Sequence, residues 1–271
     1  MSEAAENSFS DEQELWPRYF LKMAYDGTAY HGWQRQPNGT TVQEVMEAAL
    51  RKILRQDKVI TTGCGRTDSG VHASDFYLHF HAFKTIENTA DVLFKLNQLL
   101  PWDIAVYELQ RVHPKAHARF DATERSYEYH IHQVRDPFHH RFSTYYPWPL
   151  NVDAMNEAAQ KLIKQGDFAC FCKSGGGQKT TICDVRKAYW EKKDSKLVFY
   201  ITADRFLRNM VRAIVGSLVD VGKGKLSLAE FEEVLNSGNR SMAGESVKAS
   251  GLTLTKVLYP TFTLKEFKDD I

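Results

Sequence analysis

The segment TTGCGRTDSGVHAS, residues 61–74, sets one carboxylate, Asp68, among three glycines, Gly63, Gly65 and Gly70, with Arg66 just before it and His72 just after. A carboxylate in so permissive a backbone can act as a nucleophile or a proton acceptor, because glycine lets a substrate approach without Cβ clashes. The same composition also makes an ordinary turn, in which aspartate accepts backbone N–H bonds. Phosphate cradles are excluded by the residues after the glycines. GxxxxG here continues into Val71 and His72, so the lysine and hydroxyl of a Walker A loop are absent. A strand-like pattern comes after Gly70, where a dinucleotide fingerprint needs a helix. DSG also occurs in aspartic proteases, whose chemistry needs two carboxylates sharing one proton. This chain has a single DSG, and Arg66 favours the charged carboxylate, which spoils such sharing.

The chain around this loop has 271 residues, 43% of them hydrophobic and 25% charged, enough for one large domain or two small ones. No apolar run approaches the ~18 residues of a membrane span. Residues 1–15 are polar and acidic, the opposite of a signal peptide, and are expected to form a disordered tail on a cytoplasmic protein. The formal charge is +1, but the tail carries Glu3, Glu6, Asp11, Glu12 and Glu14 without a Lys or Arg. Its removal leaves a body of +6, which permits a polyanionic partner. Cys64, Cys170, Cys172 and Cys183 lack CxxC spacing, so neither a metal site nor a disulfide framework is expected.

Hydrophobic periodicity supplies the elements that must hold the loop. RYFLKMAY, KVITTG, DFYLHFHAF and DIAVYEL read as strands. A helix from Thr41, capped with Glu44, and a second over residues 88–100 stopped by Pro101, complete βαββαβ. The second half repeats that order. SYEYHIHQV is followed by a helix over 151–166 with Gly166 as its left-handed stop, and CDVRKAYWEK pairs with KLVFYITA. RFLRNMVRAIVGSLVDVG reads as one helix, SLAEFEEVL as a shorter one with a Ser227/Glu230 capping box, and GLTLTKVLYP as the last strand. The expected fold class is α+β. It comprises two ferredoxin-like βαββαβ halves, residues 16–112 and 113–271, with joined sheets, helices on one face and an active-site crevice between the halves.

Several separated blocks point to one family. GCGRTDSGVHA closely resembles the active-site loop of the tRNA pseudouridine synthase A family, G-x-G-R-T-D-x-G-V-H-A. YDGTAYHGWQRQPNGTTVQE resembles the family's opening block, and AHARFDATERSYEY the block with its stacking tyrosine. FLRNMVRAIVGSLVDVG resembles its late helix and GLTLTKVLYP its final strand. Ser69 stands where alanine is common, and Lys248 where proline is common.

The resemblance implies isomerisation of uridine to pseudouridine in the anticodon arm of tRNA, at positions 38 to 40, by a homodimer. Nothing is oxidised or lost in that reaction, so it implies no cofactor. Asp68 is the implied catalytic carboxylate, either attacking ribose C1′ or removing a ribose proton. Arg212 is the implied guanidinium partner of that carboxylate. Tyr127 is the implied platform for the target uracil, and Arg66 the wedge or phosphate ligand at the vacated stack. Arg205 and Arg208, on one helix face with Arg212, are expected to contact phosphate. His72 is expected to hold the loop rather than to catalyse. Tyr129, on the same sheet face as Tyr127, is expected in the core.

Overall fold

The alternation in RYFLKMAY becomes strand β1 (Arg18–Tyr25), with its ends where the pattern puts them. The computed structural model describes residues 16–173 and 179–267, so the acidic tail expected over 1–15 lies outside the described residues. Contacts divide the chain into two units. One contains the residues up to Ser69, Ala73–Thr123 and the segment from Val257, and the other Gly70–His72 and Glu124–Lys256.

In the first unit β1 is followed by α1 (Val42–Leu54), β2 (Thr62–Gly63), β3 (His72–His81), α2 (Thr89–Leu99) and β4 (Ile104–Val112). β1 lies between β3 and β4, antiparallel to both, and β2 adds to β3. Thr41 caps α1 by accepting the Glu44 N–H at 3.3 Å, and Asn88 caps α2 by accepting that of Asp91 at 2.9 Å. Both caps satisfy amides that a helix leaves orphaned at its first turn. Val42, Met46 and Leu50 of α1 are fully buried, as are Leu21, Met23, Phe76 and Leu78 of the sheet. The expected strand KVITTG shrinks to two residues. Its Thr61 has N–H and C=O bound by side chains of α1 instead of a neighbouring strand.

The second unit holds β5 (Glu124–His132), β6 (Thr144–Tyr145), α3 (Val152–Gln160), β7 (Gln165–Asp167), β8 (Ile182–Lys193), β9 (Lys196–Ala203), α4 (Met210–Gly222), α5 (Leu228–Ser237) and β10 (Leu252–Leu258) up to its last two residues, which count with the first unit. Its sheet runs β10-β5-β9-β8-β7, with β6 alongside β5. α3 packs on β8, α4 and α5, and Tyr129, Phe168, Phe199 and Phe231 fill the core. The Ser227/Glu230 capping box of α5 forms as expected. The protein is thus α+β with mainly antiparallel pairing, and βαββαβ order recurs in the second unit with β6, β7 and α5 inserted.

Two helix boundaries differ from the sequence reading. Gly166 lies in β7, because α3 ends at Gln160 and closes through Lys161 in right-handed conformation. α4 starts at Met210, not at Arg205: Asn209 sits at φ 64°, in the left-handed region, and breaks the helical path. Arg205, Arg208 and Arg212 therefore do not share a helix face, since only Arg212 is helical.

Candidate active site

The residues on both sides of Asp68 are tied to the end of β1 and the segment after it. Thr67 Oγ1 hydrogen-bonds the Tyr25 hydroxyl at 2.9 Å, and the Trp33 N–H donates to the Thr67 carbonyl at 3.4 Å. Ser69 Oγ donates to the Tyr30 carbonyl at 3.3 Å. Gly32, at φ 81°, lies so close that a Cβ there would collide with the Thr67 carbonyl oxygen. The glycine of HGWQ is thus required both by its backbone angle and by the loop resting on it. Gly70, at φ 78°, supplies the left-handed residue that turns the chain after Asp68. Asp68 itself is half-buried and Arg66 exposed.

A buried carboxylate holds the start of this loop. Glu47 of α1 is only 5% exposed. Its Oε1 accepts the Thr61 N–H at 3.0 Å, the Thr61 hydroxyl at 3.2 Å and Gln43 Nε2 at 3.1 Å. Gln43 Nε2 also reaches the Thr61 carbonyl at 2.8 Å. On the outer side, Arg35 Nη2 lies 3.2 Å from Glu47 Oε2, and the Arg35 N–H donates to Gln43 Oε1 at 2.9 Å. Sequence reasoning missed Glu47, Gln43 and Arg35. The available signal was an amide and an acid four residues apart at the margin of the apolar face of α1.

Three histidines fix the segment before β5. Arg18 Nε donates to His81 Nε2 at 2.9 Å, and its Nη1 to the Ala116 carbonyl at 2.7 Å. The Ala118 N–H donates to His79 Nδ1 at 3.0 Å, and the Arg119 and Phe120 amides to His117 Nδ1, each at 3.1 Å. An imidazole nitrogen that accepts a bond must be unprotonated. Burial, followed by the Arg18 charge, holds His81 and His117 down at about 4 and His79 well below its ordinary value.

The remaining sequence-predicted residues lie in the second unit. Tyr127 of β5 is half-buried, its ring edge-on to Phe206 at 5.1 Å. Tyr129 is fully buried, and its hydroxyl meets Thr144 Oγ1 at 2.7 Å and the Lys248 carbonyl at 3.0 Å. Burial raises the Tyr129 phenol, and the positive charge of Arg212 partly offsets the rise. Arg212 Nε donates to the Val247 carbonyl at 2.8 Å, and the Val247 N–H returns a bond to the Arg212 carbonyl. Gly216, one turn on, lets this segment lie against α4, since a Cβ would strike the Glu245 carbonyl oxygen. Arg205 and exposed Arg208 stand in the irregular segment before α4, where Asp204 Oδ1 accepts the Arg205 N–H at 2.7 Å. His72 is 1% exposed and packs on the Phe142 ring at 4.8 Å. All four cysteines are buried, reduced thiols, and burial pushes Cys170 to about 11 and Cys183 to about 12, too high for reactivity near neutrality.

A family model described as tRNA pseudouridine synthase matches residues 22–121 and 158–260. The tRNA pseudouridine synthase A of Bacteroides fragilis is 49% identical, with 90% of this chain and 96% of the relative aligned. That of Bacteroides thetaiotaomicron is 48% identical over 90% and 91%, and that of Parabacteroides distasonis 46% over 90% and 96%. The chain belongs to the tRNA pseudouridine synthase family. It is an isomerase that converts uridine to pseudouridine in tRNA. The matched ranges contain the whole glycine loop, Arg119 and the three arginines around α4, whereas Tyr127 falls between them. Among the described residues no helix is long and apolar enough to cross a membrane.

Proposed function

We propose that this synthase modifies uridines 38, 39 and 40 in the anticodon arm of tRNA, with Asp68 as the carboxylate that attacks ribose C1′. A C1′–oxygen bond to Asp68 forms as the C1′–N1 bond breaks, the freed uracil turns, and its C5 attacks C1′, forming the C1′–C5 bond as the carboxylate of Asp68 leaves. The proton lost from C5 is matched by one gained at N1, so atoms balance without a co-reactant. Tyr127 stacks the everted base, Arg66 enters the vacated stack or binds its phosphate, and Arg212 supplies counter-charge for the carboxylate. Arg205 and Arg208 contact phosphate, and an irregular backbone suits that role as well as a helix does.

The observation that carries this reading is the anchoring of Thr67 and Ser69 on either side of Asp68. A carboxylate meant only to cap a turn needs no such fixation of its neighbours, whereas attack at one carbon demands a fixed approach. The same reading takes residues 16–112 and 113–271 as the two ferredoxin-like halves of one chain, and two such chains as a cytoplasmic homodimer. Sequencing of pseudouridine in tRNA from cells with and without the gene tests the site choice. Loss confined to positions 38–40 supports it, and loss elsewhere with those positions intact refutes it.

A further inference from the structure

The three glycines of the loop have different physical reasons, and one has none within the protein. A Cβ on Gly63 would stand 2.6 Å from Trp33 Nε1 and 2.7 Å from Phe76 Cζ, so packing demands glycine. Gly70 is demanded by its positive φ. Gly65 has neither: its φ is outside the left-handed region, and a Cβ there would meet nothing within 4 Å. Among the described residues nothing bars a Cβ at this position, yet glycine is flexible and weakens a loop that is otherwise tied down.

Gly65 opens onto a recess of the first unit that it shares with Trp33, Gln34, Gln43, Arg66 and Arg119. The backbone of Arg119 is fixed by its N–H bond to His117 Nδ1 at 3.1 Å. The recess is open to solvent, and its floor has about 20 Å³ of space for a water-sized group, the scale of a water or a phosphate oxygen. Two arginines line this small space, the Arg119 guanidinium 5.7 Å from the Phe120 ring centroid, and arginine's planar fork suits a phosphate oxygen.

We propose that this recess is a backbone-phosphate subsite for tRNA, in which Arg119 and Arg66 bind one phosphate near the isomerised uridine and the sugar–phosphate chain presses against Gly65. Glycine at this position keeps the recess open for the substrate chain. The proposal rests on tRNA being the substrate and on no role for Asp68, and its test reads binding without turnover.

Affinity for an unmodified tRNA transcript is measured against salt for wild type, Gly65→Ala, Gly65→Val, Arg119→Ala and Arg119→Lys. Arg119→Ala is expected to lower the slope of log K against log salt by about 0.7–0.9, the release associated with one phosphate, and Arg119→Lys to restore it. The Gly65 variants are expected to melt at or above the wild-type temperature while losing roughly tenfold or more in affinity, Val more than Ala. An unchanged slope in Arg119→Ala overturns the subsite. Wild-type affinity in Gly65→Val overturns it equally, and if that variant melts early, wild-type affinity in Gly65→Ala serves instead.

Discussion

Glu47 Oε1 accepts the Thr61 N–H at 3.0 Å from within the first unit's core, so a helix side chain stands where a strand neighbour would be. Truncating it orphans that amide and releases Arg35. We expect Glu47→Ala to cost about 2–4 kcal/mol in urea unfolding, as buried charged hydrogen bonds do. Turnover should also fall at temperatures where the variant is folded, because Thr61 begins the loop that carries Asp68. A change below about 0.5 kcal/mol, the usual scale of a surface substitution, would show the network to be ornamental.

The contact of Gly216 with the Glu245 carbonyl makes a second prediction. Gly216→Ala must push residues 244–247 off α4, costing about 1–3 kcal/mol by overpacking, despite the better helix propensity of alanine. Arg212 loses its Val247 anchor in the same displacement, so kcat is expected to drop in protein shown to be folded. A variant as stable and as active as wild type would mean that the segment has another seat.

Acid stability depends on the histidines. His79, His81 and His117 have lowered values in the folded protein, so the unfolded chain binds more protons below pH 6.5. Stability they confer is full above that pH and is lost as pH falls towards about 4, at up to about 1.4 kcal/mol per pH unit for each histidine. Unfolding free energies at pH 7, 6 and 5 should therefore decline, and His117→Asn should flatten the decline. An identical slope in the variant would remove His117 from the effect.

Tyr127 separates stacking from hydroxyl chemistry. Tyr127→Phe keeps the ring and is expected to retain most activity, whereas Tyr127→Ala should lose about 1–3 kcal/mol of base stacking, a tenfold to hundredfold drop in turnover. Equal damage in both would assign the work to the phenol.

Local pattern made much of the fold legible. β1 and the Ser227 capping box sit where alternation and cap chemistry put them, because each is decided by neighbours in sequence. Long-range substitutions were illegible. KVITTG has strand composition, yet its Thr61 is satisfied by Glu47 and Gln43 from a helix that precedes it. RFLRN has helical periodicity, but Asn209 adopts a left-handed angle that no pattern rule forces on asparagine. In the candidate site, Asp68 stood out through its glycines, while Arg119 did not. Its place beside Arg66 arises from the recess, and its backbone is held by a histidine ring two residues away.

Conversion of an unmodified tRNA transcript by Asp68→Asn, set beside its tRNA affinity, is the most direct measurement. Affinity is expected within about tenfold of wild type with no pseudouridine formed, since removing a group that acts only in the transition state abolishes rate and spares binding. Pseudouridine appearing at a rate near wild type would contradict the assignment of Asp68.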